Sequence, residues 1–208
     1  MELKILITAA TTIELNAVLV ILGNNPKINT LITGIGMTAT AFHLGKHLSN
    51  NQYDLAVNVG IAGAFNRSLA LGEVVEVVKD QFSELGAEDG DSFLSLNEMG
   101  LGSENEFPFK KGQLFAKHDL QHALKKMHGI TVNKVHGNKN SIDQIIQRLN
   151  PDIESMEGAA FFYACQMNNL NCIQIRSISN YVEKRNKDAW EIELALHNLA
   201  KEVKQLIN

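Results

Sequence analysis

Short apolar runs alternate with amphipathic stretches along this chain, and each run gives way to small or polar residues. Residues 3–7 are almost continuously apolar, the pattern of a parallel strand covered on both faces, and residues 13–22 then carry helical spacing. A strand over 30–33 opens into Gly34-Ile35-Gly36 and a helix through Leu48, and a strand over 55–59 opens into Gly60-Ile61-Ala62-Gly63. Further strands are predicted over 74–78, 113–116, 130–135 and 172–178. Helices are predicted over 119–127, 141–149 and 156–167, and a last one runs from an N-cap at Asp188 to Leu206. Residues 81–108 break the pattern and read as a long excursion, which in a compact domain is functional or disordered. Strands alternating with helices imply an α/β domain with a largely parallel central sheet. Ligands of such sheets bind at the carboxyl ends of the strands, and small or polar residues gather there, at 8–12, 34–36, 58–63 and 177–180.

With 208 residues, 45% of them hydrophobic, the chain can build one substantial core, and no shift in composition marks a second domain. A net charge of −4 and a pI near 6.0 argue against nucleic-acid or anionic-membrane partners and leave a small soluble substrate as the expectation. The two cysteines, Cys165 and Cys172, lie in apolar surroundings without a C-x-x-C pattern, so neither a disulfide framework nor a thiolate zinc site is expected, and the compartment is read as reducing. With no secretory leader pattern and no apolar run of about 20 residues, a cytoplasmic protein is expected.

A few side chains stand out against this background. Glu157, in Ser155-Met156-Glu157-Gly158-Ala159-Ala160, is predicted in the first turn of a helix of small residues, where an uncompensated charge is costly unless something binds it. A carboxylate there can accept both cis-hydroxyls of a ribose, with Met156 as a soft apolar wall; the plainer role is decoration of a helix start. Glu14 follows the first strand by one short loop and can point back over the sheet edge as a general base, although an early helical Glu is most often a dipole-compensating surface charge. Arg176 lies on the apolar strand Ile173-Gln174-Ile175-Arg176, where a structural ion pair competes with a role in holding Glu157, substrate or water. Asn180 ends that strand; its amide can donate to a purine's five-membered-ring nitrogen and tolerates a neighbouring 6-keto oxygen, or it is a simple turn residue.

Six motifs in collinear order carry a resemblance: Ala9-Ala10 through Glu14, Thr33-Gly34-Ile35-Gly36, Asn58-Val59-Gly60-Ile61-Ala62-Gly63, Leu71-Gly72-Glu73-Val74-Val75, Ser155-Met156-Glu157-Gly158-Ala159 and Arg176-Ser177-Ile178-Ser179-Asn180. Together they resemble the purine nucleoside phosphorylase and nucleosidase superfamily, in its nucleosidase branch. The resemblance implies a three-layer α/β/α fold with a mixed sheet, no cofactor, no metal, and a homo-oligomer, dimer-based, in which Ile35 and residues 81–108 help close a neighbour's site. It implies that Glu14 activates water, Met156 and Glu157 bind ribose, Arg176 organises the water region and Asn180 donates to the base. Gly60, Ile61, Ile35, Ser155 and Ser179 complete the implied substrate contacts. Phosphorylases of the superfamily surround phosphate with arginines, whereas the first loop here is Ala9-Ala10-Thr11-Thr12 and the third strand offers Asn58, so hydrolysis is preferred. Adenine-specific nucleosidases carry Asp where this chain has Asn180, and an amide suits a 6-oxopurine. That combination is similar to the futalosine hydrolases of menaquinone biosynthesis, which release hypoxanthine. Ile61 and Ser155 depart from the Ser and the carboxylate common in the adenine-specific relatives. An adenine-specific 5′-methylthioadenosine/S-adenosylhomocysteine nucleosidase or a purine nucleoside phosphorylase is the alternative within the superfamily.

Readings of other classes rest on single features. Gly34-x-Gly36-x-x-Ala39 loosely matches a dinucleotide fingerprint, but the acidic residue that should close the next strand is Asp54, which opens it. A non-catalytic nucleoside-binding protein would bind without releasing base. The pairs His43/His47 and His118/His122 have metal-binding helical spacing but no evident third ligand. Phe161-Phe162-Tyr163 is assigned to the core.

Overall fold

The computed structural model describes residues 3–23, 25–90, 92–118 and 120–207. Its elements, in chain order, are β1 (Ile5–Ala9), α1 (Thr12–Leu22), β2 (Ile28–Ile32), α2 (Met37–Leu48), β3 (Leu55–Ala64), β4 (Val74–Asp80), β5 (Gly86–Asp89), β6 (Ser92–Ser95), β7 (Leu114–Phe115) and β8 (Lys125–Thr131). They continue with α3 (Lys139–Leu149), β9 (Ile153–Ser155), α4 (Gly158–Met167), β10 (Asn171–Tyr181) and α5 (Ile192–Ile207), the last preceded by a short 3-10 turn at Lys187–Ala189.

β1, β2, β3 and β10 pair in parallel, as do β4 with β8 and β8 with β9, whereas β10–β4, β3–β9 and β4–β7 are antiparallel. The sheet is mixed and largely parallel. β3 pairs with β1 through its first half and with β9 at Gly63 and Ala64, so β3, β10, β4, β8 and β9 close into a ring from which β1 and β2 extend. Side-chain alternation along β1 shows why the sheet is covered twice. Ile5 and Ile7 meet Leu15 and Val18 of α1 and Leu199 and Val203 of α5 on one face, and Leu6 meets Leu44 of α2 and Phe161 and Phe162 of α4 on the other. These are the three layers of the fold. Cys165 and Cys172 are free thiols in the second cluster, and burial, reinforced by each other's proximity, pushes the Cys165 thiol well up. Among the described residues no helix is long and apolar enough to cross a membrane.

The structure corrects several boundaries. The helix predicted over 119–127 does not form: Asp119 lies outside the described residues, residues 121–124 are irregular and β8 begins at Lys125. The backbone N–H groups of Leu120 and Leu124 are taken by Nδ1 of His118 and His122, two positions back, in place of a carbonyl four back. The strand predicted over 130–135 accordingly starts earlier and ends at Thr131. The excursion over 81–108 contains the hairpin β5–β6. Glu157 is the N-cap of α4, one position ahead of its first turn, and β10 runs on through Asn180 to Tyr181.

Candidate active site

The carboxyl ends of β1, β3 and β10 open onto a cavity of about 800 Å³. Its wall includes Ala10 and Thr11 after β1, Ile61–Gly63 of β3, Ser155–Glu157 at the β9–α4 junction, Ser179–Tyr181 of β10, and Ile35. Glu14, Met156, Glu157, Asn180, Ile35, Ile61, Ser155 and Ser179 therefore share one space. Arg176 and Gly60, expected with them, are absent from the wall: Arg176 is 1% exposed and lies behind it.

Glu14 is placed by the start of α1. Thr11 is the N-cap, its Oγ1 accepts the Glu14 N–H at 3.3 Å, and Glu14 Oε2 accepts the Thr11 N–H at 3.1 Å and its hydroxyl at 2.7 Å. Glu14 Oε1 accepts the Ile61 N–H at 3.2 Å. This reciprocal cap turns the carboxylate back over the sheet edge, so that a solvent-facing charge is excluded: Glu14 is 8% exposed. A Cβ on Gly60 would collide with Arg176 Nη1 and lie 2.8 Å from Glu14 Oε1, so Gly60 serves as the gap across which these two groups approach.

Glu157 leaves its own helix uncapped. Its Oε1 accepts the N–H of Gly36 at 3.0 Å, and its Oε2 lies 3.8 Å from Arg176 Nη2. Gly36, with φ 90°, holds a left-handed backbone that presents this N–H at the start of α2. The position where a dinucleotide phosphate would sit is thus filled by the chain's own carboxylate, and Asp54 accepts the N–H of Lys4 at the far end of β3. Both features contradict a dinucleotide site. Ser155 Oγ accepts the Gly158 N–H at 3.2 Å, which fixes the turn carrying Met156 into the cavity.

Behind Glu157 runs a buried polar chain that sequence reasoning did not find. Arg176 Nη2 donates to Asn58 Oδ1, and Arg176 Nε donates to Gln174 Oε1 at 2.9 Å. Gln174 Nε2 donates to Asp80 Oδ2 at 3.1 Å, and the Thr131 hydroxyl donates to Asp80 Oδ1 at 2.9 Å while accepting the Ala159 N–H. A Cβ on Gly158 would collide with Asp80 and Gln174, which explains the small residue at that point of the helix. Burial pushes the Asp80 carboxyl up to about 6, against the opposing pull of Gln174, Thr131, Arg176 and the Gln81 N–H. Because its folded value exceeds the ordinary one near 3.8, the folded state binds the extra proton, and this group's contribution to stability falls as pH rises from about 4 to about 6. Urea unfolding should therefore show Asp80→Asn gaining on the natural protein, by up to about 3 kcal/mol, between pH 4 and pH 7. A pH-independent difference would contradict the assignment.

Asn180 sits beside an irregularity in β10, where the register against β3 slips between Ile178 and Asn180. Its Oδ1 accepts the Ser179 hydroxyl at 2.8 Å and its Nδ2 donates to the Tyr181 carbonyl at 3.1 Å, which fixes the amide's orientation and leaves one N–H unassigned. Glu154 and His136 also line the cavity and were not singled out by sequence. Glu154 accepts the His136 N–H at 3.0 Å and faces His136 Nδ1 at 2.6 Å. Glu183, Lys184, Arg185, Asn186 and Trp190 form a further part of the wall, with the Arg185 guanidinium 5.1 Å above the Trp190 ring.

The histidine pairs resolve differently. His43 Nδ1 lies 2.7 Å from the Thr33 carbonyl and His47 Nε2 2.8 Å from the Tyr53 hydroxyl, so the two serve separate partners. His118 and His122 do acquire a third group, the buried Glu76, 2.6 and 3.2 Å from their Nε2 atoms. Each Nδ1 already accepts a backbone N–H, which puts the ring proton on Nε2, toward Glu76. Metal-bound histidines instead donate from the second ring nitrogen, so with these ring protons the arrangement does not suit a cation, although only His118 is hydrogen-bonded to Glu76, through Oε1, and Oε2 has no hydrogen-bond partner among the described residues.

A model described as "Phosphorylase superfamily" matches residues 10–208. The futalosine hydrolase of Thermus thermophilus is 31% identical over 180 residues, covering 85% of this chain and 80% of that protein. The futalosine hydrolase of Streptomyces coelicolor is 28% identical over 166 residues, covering 76% of this chain and 67% of that protein. Among solved structures, a mutant Helicobacter pylori 5′-methylthioadenosine/S-adenosylhomocysteine nucleosidase with 5′-methylthioadenosine in its active site superposes with a TM-score of 0.82 at 16% identity, covering 100% of this chain and 99% of that one. The native futalosine hydrolase of Helicobacter pylori gives 0.81 at 15% identity, covering 99% and 97%. At these identities the solved structures share the fold.

Proposed function

Because the chain belongs to the phosphorylase superfamily, we propose that it is a nucleosidase that hydrolyses the N-ribosidic bond of a 6-oxopurine nucleoside, with futalosine as its substrate and hypoxanthine as the released base. The observation that carries this reading is that Glu14, Glu157 and Asn180 line one cavity, with no arginine among the residues contributed by the first loop or β3. Glu14 takes the proton of the attacking water, which adds to the anomeric carbon. Glu157, held by the Gly36 N–H and by Arg176 from behind, accepts the ribose hydroxyls, so that Arg176 acts as a positioning residue. Met156 walls the sugar, Asn180 donates to the departing base, and Ile35, Ile61, Ser155 and Ser179 complete the enclosure. The sugar passes through an oxocarbenium-like state that a nearby carboxylate favours. The futalosine hydrolase relatives support the substrate, as does an amide in place of an acid at residue 180. The working form is a dimer-based homo-oligomer, a reading supported by the 63% exposure of Ile35 beside the cavity and by the equally open Phe42 and Phe107.

The test is a panel of futalosine, inosine, adenosine and methylthioadenosine, each with and without phosphate. Release of hypoxanthine from futalosine, unaffected by phosphate and giving a free sugar, is expected. A phosphate-dependent reaction giving the sugar 1-phosphate would replace hydrolysis with phosphorolysis. Asn180→Asp should shift the ratio of kcat/KM toward adenine nucleosides by about 10-fold or more, since it trades an amide donor for a charge that repels a 6-oxo group. An unaltered ratio on the same panel would remove Asn180 from base selection.

A further inference from the structure

An amide can hydrogen-bond to a leaving purine, but it does not give up a proton near neutral pH, so a nucleosidase with Asn180 at the base needs its acid elsewhere. From the geometry we infer that His136, held by Glu154, is the general acid that protonates the departing base; this inference rests on the proposed nucleosidase activity.

Strand register brings the pair to the right place. Gly63 of β3 is paired on one side with Glu154 of β9 and on the other with Asn180 of β10, so the three residues form one row across the sheet. Paired residues on adjacent strands point to the same face, and Gly63 puts no side chain between the outer two. A Cβ at Gly63 would lie 3.1 Å from Val182 Cγ2, 3.2 Å from Asn180 Nδ2 and 3.6 Å from Glu154 Cγ, so the two polar side chains approach the same point of the sheet. Asn180, Glu154 and His136 all line the one cavity, so a ring held at Asn180 shares that space with the Glu154–His136 pair.

The chemistry of the pair suits proton delivery. A carboxylate only accepts, so His136 Nδ1 carries a proton toward Glu154 Oε2 at 2.6 Å. The second Glu154 oxygen accepts the backbone N–H of His136, fixing both residues as a unit, and the Phe65 and His136 rings meet in a T-shaped contact with centroids 6.0 Å apart. Among the described residues Nε2 has no hydrogen-bond partner, and His136, its side chain 10% exposed, lines this cavity as well as a second pocket bordered by β5, β6 and α3. The competing groups are less suited. Glu14 and Glu157 already accept backbone N–H groups and serve water and sugar.

In the step, the bond from the anomeric carbon to the purine nitrogen breaks and its electron pair stays with the base. His136 Nε2 gives its proton to the five-membered-ring nitrogen, while the free amide N–H of Asn180 holds the neighbouring 6-oxo oxygen. Water adds to the anomeric carbon and loses a proton to Glu14; solvent then reprotonates His136 and takes the proton from Glu14.

The test compares the natural protein, His136→Gln and Glu154→Gln on two substrates: futalosine, and 4-nitrophenyl β-D-riboside, whose nitrophenolate departs without a proton. His136→Gln should lower kcat on futalosine by about 10²–10⁴-fold while leaving riboside cleavage within a few-fold, which also reports intact folding. Glu154→Gln should show a smaller loss confined to futalosine. Equal losses on both substrates, or full futalosine turnover by His136→Gln, overturn the inference alone. A natural protein that releases no hypoxanthine overturns the proposed function and this inference together.

Discussion

Replacing Glu14 by glutamine is expected to lower kcat on futalosine by about 10²–10⁴-fold, the usual contribution of a positioned general base. The substitution is informative because of where Glu14 sits. It occupies the third position of the capping box opened by Thr11, and glutamine fills that position as well as glutamate does. The amide oxygen can replace Oε2 and accept the Thr11 N–H and hydroxyl, so the Ile61 N–H loses the acceptor that Oε1 gave it, a cost of about one hydrogen bond, and the side-chain volume is nearly unchanged. Helix α1 should survive, the midpoint of thermal unfolding should move by no more than a few degrees, and substrate affinity measured by equilibrium binding should be retained. Turnover within a few-fold of the natural protein would reduce Glu14 to a helix cap.

The second large effect belongs to Arg176. Substituting methionine, of similar length and without charge, removes the donor to Asn58 and Gln174 and the cation beside Glu157 while these partners stay buried. Breaking a buried charge pair from one side costs about 3–5 kcal/mol, mainly through the group left behind, and that loss should appear in urea unfolding. Arg176→Lys should recover only part of it, because a single ammonium cannot donate in the separate directions of Asn58 and Gln174. KM should rise as Glu157 loses its support. A change below about 1 kcal/mol would mean that solvent reaches this network and screens it.

Much of the scaffold was legible because its signals are local. The apolar runs behind β1, β3, β4 and β10, and the small residues that follow β1 and β3, are contiguous in the sequence, and they place Glu14, Glu157 and Asn180 at one edge. What escaped depends on residues far apart in the chain. Asp80 and Gln174 meet across 94 positions, and Glu154 reaches back 18 positions to His136 from a three-residue strand too short to show a period. The alternation of apolar and polar positions over 119–127 resembles a helix, yet His118 and His122 turn toward Glu76, a partner on another strand. Arg176 was visible as a costly charge, but its direction, toward Asn58, Gln174 and Glu157 and away from the cavity, is set by strand register.

Closure of β3, β10, β4, β8 and β9 upon themselves has a dynamic consequence. Where a strand is paired on both sides it cannot fray one amide at a time, so the backbone N–H groups of residues 55–58 in β3 and 174–177 in β10 should exchange with deuterated solvent only when the whole molecule opens. β2, paired on one side only, retains an unprotected rim. Its amides should exchange earliest in the main sheet, and foreign strands have a seam there along which to add.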